Sequence, residues 1–320
     1  MATGERTISF YRILKYKNTA QNEPIEQIDW YKVLTFLEKQ SLARRTSNVG
    51  GRILIGEILF YEEQAHLKLL KVRDIEAWLG VYNDAEKSVT DLEFDETNQL
   101  YETSIVSFLE FGNVIGMIQG STSAPTSSAV VEWLEALEIF GSGVHLVSEA
   151  VLSNEARNEL KTAPEASRIE TTISTTKAQA LETRGSKLSP ILRKVSEEFG
   201  PMTVTLILQT SQARDNTEGR QILRAEAANL AAAAGENEVS KAKAKLVYID
   251  ADEKMRSREV DFVKQRITAK RKIGSVDDQG QPIRNLSAVR AILQVAAEHD
   301  AELRDAVGKP ITGSKDAGKK

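Results

Sequence analysis

Cysteine is absent from all 320 residues, which removes disulfides, thiolate zinc sites, iron–sulfur clusters and cysteine nucleophiles together, since each needs sulfur. Stability must therefore come from packing. Long hydrophobic runs are missing as well: no stretch reaches the roughly 18 uncharged apolar residues of a membrane helix. The first residues meet a charge at Glu5 before any apolar run of signal-peptide length. The expectation is a cytoplasmic protein with no membrane segment. Only three histidines occur, His66, His145 and His299, and none has a histidine partner at metal-ligand spacing. There is no Walker loop, no Gly-x-Gly-x-x-Gly and no Gly-x-Ser-x-Gly, so nucleotide hydrolysis, nicotinamide chemistry and a serine nucleophile elbow lack their signatures, and no cofactor is expected.

What is present is ordinary globular material. The apolar fraction is 41% and the charged fraction 28%, enough to bury real cores. The length exceeds what one core usually supports, so two domains are expected. Ile8 to Ile13 is β-prone. Pro24 opens a helix whose Trp30, Val33, Leu34 and Leu37 recur at helical spacing. Ile53 to Phe60 and Leu67 to Val72 read as strands, and Leu92 to Gln119 reads as a meander with turns at Glu96-Thr97-Asn98 and Gly112-Asn113. A helix from Pro125 carries Val130, Trp133, Leu134 and Leu137 inward and stops before Gly141. Val144 to Val151 is a strand, Ser153 caps a short helix, and Ser167 to Ser174 is β-prone. The Thr/Ser-rich stretch Thr171 to Ser186 reads as the loosest joint, which places a boundary near it.

Beyond that joint, Ser189-Pro190 starts a helix that Gly200 ends. Met202 to Gln209 is a strand, Thr217 to Ala234 an alanine-rich helix, Lys243 to Asp250 a strand and Arg258 to Lys272 a helix, together a β-α-β-α unit. Ser287 caps a last amphipathic helix with Val289, Ile292, Leu293 and Ala296 on one face, and the tail from Gly308 is expected to fray. The fold class is thus α+β: an antiparallel domain over 1–175, a C-terminal α/β domain with a basic surface over 187–307, and a flexible tail over 308–320. The order of elements resembles that of uncharacterised bacterial and prophage proteins, some from defence islands, and no functional residue is carried over from that resemblance.

Charge is distributed unevenly. Lys241 to Lys272 holds eleven Lys/Arg against five Asp/Glu, net +6, while the chain carries −4 and its remainder therefore −10. In a strand, Lys241, Lys243 and Lys245 share one face at about 6.6 to 6.8 Å spacing, a scale similar to that of successive phosphates along a nucleic-acid strand. Lysines at a sheet edge serve equally to deter sheet-to-sheet pairing. Lys264, Arg266, Lys270, Arg271 and Lys272 on the following helix, around Val260, Val263 and Ile267, would add cations or simply complement its C-terminal dipole. Stacking aromatics are limited to Tyr248 and Phe262, so any binding would follow the backbone of DNA or RNA.

The leading expectation is a non-enzymatic, nucleic-acid-associated binding protein that uses these eight cations. Two alternatives accompany it. Asp250, Asp252 and Glu253 at a strand end form a possible oxygen-ligand set for a metal-dependent nuclease, although such turns are naturally acidic. The acidic stretch Asp84 to Glu102, with seven Asp/Glu and one lysine, could instead pair with the basic unit of another copy. The chain would then be a homo-oligomeric assembly module.

Overall fold

The computed structural model describes residues 3–17, 27–73, 80–83, 88–91, 99–210, 216–234, 239–249, 255–274 and 284–308. Its strands are β1 (Thr3–Lys17), β2 (Thr46–Val49), β3 (Arg52–Tyr61), β4 (Gln64–Val72), β5 (Gly80–Asn83), β6 (Ser88–Asp91), β7 (Tyr101–Phe108), β8 (Val114–Gln119), β9 (Val144–Ala150), β10 (Glu165–Ser174), β11 (Thr203–Gln209), β12 (Val239–Ile249), β13 (Met255–Asp261) and β14 (Thr268–Gly274). The helices are α1 (Trp30–Glu38), α2 (Ser127–Ala136), α3 (Asn154–Thr162), α4 (Ala178–Thr183), α5 (Ser189–Phe199), α6 (Thr217–Ala233), α7 (Arg284–Glu298) and α8 (Asp300–Val307). The class is α+β. No helix among the described residues is long and apolar enough to cross a membrane.

The eight-stranded sheet runs β14-β1-β8-β7-β4-β3-β2, with β9 also paired to β1, and every pairing in it is antiparallel. Both faces are covered. On one, Ile13, Leu67, Leu69, Val106 and Ile115 pack with Trp30, Leu34 and Leu37 of α1 and with Val130, Trp133 and Leu134 of α2. On the other, Ile8, Phe10, Ile105 and Ile118 pack with Val289, Ile292 and Val295 of α7 and Leu303 of α8. The helical spacing of Trp30 to Leu37 and of Val130 to Leu134 is thereby a core-facing stripe. Asp29 caps α1, its carboxylate accepting from the Lys32 N–H. The opening at Pro24 lies outside the described residues, as do Leu92, Phe94 and the Glu96-Thr97-Asn98 turn.

Gly112 and Asn113 both take positive φ, +60° and +53°, as the centre of the turn before β8 requires, where the Val114 N–H donates to the Phe111 carbonyl at 3.2 Å. Asn113 also accepts from the Ile28 N–H at 2.8 Å and, through its carbonyl, from Ile13 at 2.9 Å. The turn therefore fastens the chain leading into α1 to the middle of β1.

The four-stranded sheet, β11-β10-β12-β13, is antiparallel throughout. One face buries Ile169, Ile173, Ala242, Ala244 and Leu246 under Leu160, Leu192, Leu223, Ala227, Leu230 and Ala231. The alanines let α6 lie close to the strands, as the alanine-rich pattern implies. Because β10 pairs antiparallel with both β11 and β12, those two run parallel and α6 is the crossover between them.

The β-α-β part of the expected unit is present, but its final helix is not. Arg258–Lys272 forms β13, a turn, and β14 instead. Val260, Val263 and Ile267 imitate a helical stripe because all three are at least partly buried, yet they enter different cores. Val260 and Val263 pack with the smaller sheet and Ile267 with α7. Tertiary pairing with β12 and β1 overrides a three-residue periodicity.

Sheet membership also departs from the split into 1–175 and 187–307. Residues 165–261 supply the smaller sheet, while β14, α7 and α8 return to the larger one. The Thr171–Ser186 joint is firmly held. Glu226 of α6 accepts from the Ser186 hydroxyl at 2.5 Å and from the Lys187 N–H at 2.7 Å, and the Ser189 hydroxyl donates to the Ala178 carbonyl at 2.7 Å. Ser287 lies inside α7, which begins at Arg284, and its hydroxyl accepts from the Gly274 N–H at 3.0 Å. The tail from 309 lies outside the described residues.

A Cβ on Gly56 would come within 2.1 Å of the Trp133 ring, whose indole is fully buried and donates to the Arg45 carbonyl at 2.9 Å. Gly56→Ala is expected to lower stability by about 2 kcal/mol or more through overpacking, read from the urea midpoint. His66 is fully buried, and neither ring nitrogen has a well-formed hydrogen bond. Burial depresses its pKa from 6.5 to about 4, offset only in part by the Tyr61 backbone. A depressed histidine favours the fold while neutral, so its contribution is complete above pH 6.5 and is lost as pH falls toward 4. The loss amounts to roughly 3 kcal/mol. His66→Leu should flatten that part of the stability profile in denaturant titrations across this range.

Candidate nucleic-acid interface

Alternation along β12 does place Lys241, Lys243 and Lys245 on one face, opposite buried Ala242, Ala244 and Leu246. That face is the uncovered side of the smaller sheet. β12 is an interior strand, flanked by β10 and β13, so edge protection does not explain these lysines. Their neighbours do. In register, Lys243 lies between Glu170 and Asp261, and Lys245 between Arg168 and Glu259.

The Lys241 ammonium pairs with Glu170. Lys243 reaches Glu259 at 3.3 Å and Asp261 at 3.7 Å, and Arg168 reaches Glu170 at 3.1 Å. The hydrogen bond from Lys241 holds the Glu170 carboxyl below its usual range, and the hydrogen bond to Glu259 raises the Lys243 ammonium above its own. Four cations, with Arg168 included, face three carboxylates, leaving the patch near neutrality at +1.

The remaining cations lie elsewhere. Lys264 and Arg266 occupy the turn after β13. Lys264 sits 3.9 Å from Asp261, and the Arg266 Nε donates to the Val263 carbonyl at 2.9 Å. Lys270, Arg271 and Lys272 are on β14 in the larger sheet. Arg271 pairs with Glu298 of α7, so alternation turns Lys270 and Lys272 to the opposite face, where Lys270 lies 3.8 Å from Glu5. Among the described residues, Lys245 and Lys272 alone of the eight have no carboxylate or carbonyl partner, and they belong to different sheets. The expected convergence on one open surface is therefore not what the fold produces.

Asp250, Asp252 and Glu253 lie outside the described residues. Among the described ones, no three His, Asp or Glu side chains gather as metal ligands. His145 is surface-placed, 3.8 Å from Glu135, and His299 lies 3.3 Å from Glu302. Most of the acidic stretch Asp84–Glu102 is likewise undescribed. Its last residue, Glu102, turns inward: burial works to raise its pKa, but the Ser121 and Ser123 hydroxyls with Arg73 and Lys71 outweigh that and lower it.

Sequence reasoning missed a different feature of the smaller sheet, its bare edge at β11. The signal was available, because Phe199 to Ala213 contains no charged residue. The Thr175 N–H donates to the Met202 carbonyl at 2.8 Å and Thr210 to Ser167 at 3.0 Å. The hydrogen-bonded pairs with β10 thus fall on the even-numbered residues of β11. Thr203, Thr205, Ile207 and Gln209 point their N–H and C=O groups away from the sheet.

If carboxylates are what hold the ladder lysines, Glu170→Gln combined with Glu259→Gln should raise affinity for duplex DNA about tenfold at low salt, with a steeper salt dependence than the unmodified chain. Filter binding across a salt series reads this directly. Tight binding by the unmodified chain that Lys243→Ala weakens would mean that phosphates reach the ladder already. Neither the models of known protein families nor the curated proteins match this chain.

Proposed function

We propose that this chain is a protein-interaction and assembly module that accepts an extended strand on the open β11 edge of its smaller sheet. The observation that carries this reading is the contrast between β11 and the other sheet edges. β13 ends its sheet with Arg256, Arg258 and Glu259, β14 carries Lys270, Arg271 and Lys272, and β2, β5 and β6 are only four residues long. At β9, which pairs with β1 alone, side chains take the outward groups: the Leu146 N–H donates to Glu135, and Arg184 donates to the Ser148 carbonyl at 2.8 Å. Charge and shortness are the usual means of discouraging strand addition. β11 uses neither: it has no charge and no proline, and among the described residues nothing occupies its outward main-chain groups.

Its side chains suit the same role. Val204, Leu206 and Leu208 are only half-buried at the margin of the core, and Ile207 is 52% exposed. An added strand would finish both the hydrogen-bond ladder and that apolar margin, with main-chain bonds giving affinity and alternate side chains giving selectivity. Phosphate contact through the lysine ladder draws less support, because its cations are spread over two sheets and most are already paired.

Ile207→Pro tests the proposal cleanly. The lost N–H points outward, so the β10–β11 ladder survives while an incoming strand loses a donor. An extended peptide of alternating Thr and Val, flanked by lysines for solubility, should slow amide exchange at Thr203, Thr205 and Gln209 in the unmodified chain. Its affinity should fall at least tenfold in Ile207→Pro. Absence of protection by this peptide, and equally at high concentration of the chain alone, would overturn the proposal.

A further inference from the structure

We infer that the strand received by β11 is β11 of a second copy, running antiparallel about a two-fold axis at Leu206. This inference rests on the strand-addition reading and goes beyond it by naming the partner and the register. Closing β11 on itself about Leu206 sets Thr203 opposite Gln209, Val204 opposite Leu208, Thr205 opposite Ile207 and Leu206 opposite Leu206. Polar ends meet polar ends. On the helix-covered face the facing residues are all aliphatic, Val204, Leu206 and Leu208 from each copy.

The register also agrees with the hydrogen-bond phase read from β10. Thr203, Thr205, Ile207 and Gln209 carry the outward groups, and these four residues, with one donor and one acceptor each, are the ones that fall in hydrogen-bonded pairs. Shifting the register by one residue would set outward groups against inward ones. No like charges meet across the junction, because β11 has none. At β13 or β14 the same self-pairing would bring arginines and lysines together across the strands.

A two-fold contact of this kind uses the same patch on both copies, so it consumes both open edges and stops at a dimer. The two four-stranded sheets become one of eight strands, bounded at each end by a charged β13. Met202, 37% exposed just before β11, extends the uncharged margin to the point where the second copy's Thr210 would lie.

The absence of cysteine makes the test direct. Leu206→Cys introduces the chain's only thiol. In a non-hydrogen-bonded antiparallel pair its two copies would have Cα atoms about 4.5 Å apart, within the about 4.4 to 6.8 Å that a disulfide spans. Thr203→Cys is the control, since its copies would lie about 20 Å apart along the paired strands. Under mild oxidation Leu206→Cys should cross-link to a covalent dimer in high yield while Thr203→Cys stays single. A mixture of Thr203→Cys and Gln209→Cys should yield only the mixed dimer.

Light scattering on the unmodified chain should give twice the monomer mass, and Ile207→Lys should return it to the monomer mass. A dimer in which Leu206→Cys does not cross-link, or cross-links no better than Thr203→Cys, overturns the register. A monomer at all accessible concentrations overturns the second copy as partner. In that case protection of the β11 amides by the alternating peptide leaves the strand-addition reading standing, and its absence removes that reading too.

Discussion

Strand β1 is the constraint on which the rest of the architecture depends. Its fifteen residues pair with β8 on one side and, in tandem, with β14 and then β9 on the other. The first described residue, Thr3, therefore lies opposite Gly274. With β14 and β9 end to end along one strand, the chain leaves the larger sheet beside the point where it re-enters. The Ile267 N–H donates to the Val151 carbonyl at 2.9 Å, Ser153 to the Gln265 carbonyl at 2.8 Å, and Leu152 bridges to Arg266. The smaller unit thus hangs from two adjacent attachments. α3 is braced against α8, with Arg157 donating to the Asp305 carbonyl at 2.7 Å.

This arrangement decides the fate of the basic segment. A continuous helix from Arg258 to Lys272 would have kept its cations on one body. The fold instead spends that segment on two strands in two sheets, because β1 needs a partner along its N-terminal half and β12 needs one on its free side. Carboxylates then arrive from elsewhere in the sequence: Glu170 from β10, Glu298 from α7 and Glu5 from β1. Exposed pairs of this kind add little stability individually. Their effect is to cancel the field that the linear sequence displays.

The smaller sheet presents two unlike exposed features, a charge-balanced face and an uncharged edge. A balanced face attracts neither polyanions nor polycations strongly, whereas unpaired main-chain donors and acceptors next to half-buried aliphatic side chains have a definite complement in another strand. The chain's net negative charge is carried away from that edge, which has no charged residue of its own.

Local chemistry was legible in the residues themselves. Stripes such as Trp30 to Leu37, turn pairs such as Gly112-Asn113 and alternation such as Lys241 to Leu246 express neighbours within a few positions, and the α+β class follows from them. The identity of each strand's partner depends on contacts between residues far apart in the chain. That is why Val260, Val263 and Ile267 passed for one helix face, why Glu170 could not be matched to Lys241, and why the edge position of β11 stayed hidden although its lack of charge was in plain view. Sequence by itself determined the apolar stripes, alternations and turn signals that mark most of the helices and strands. Only the tertiary structure decided which strands meet, which charges cancel and which edge is left open, because hydrogen-bond pairing and charge neutralisation act through space rather than along the chain.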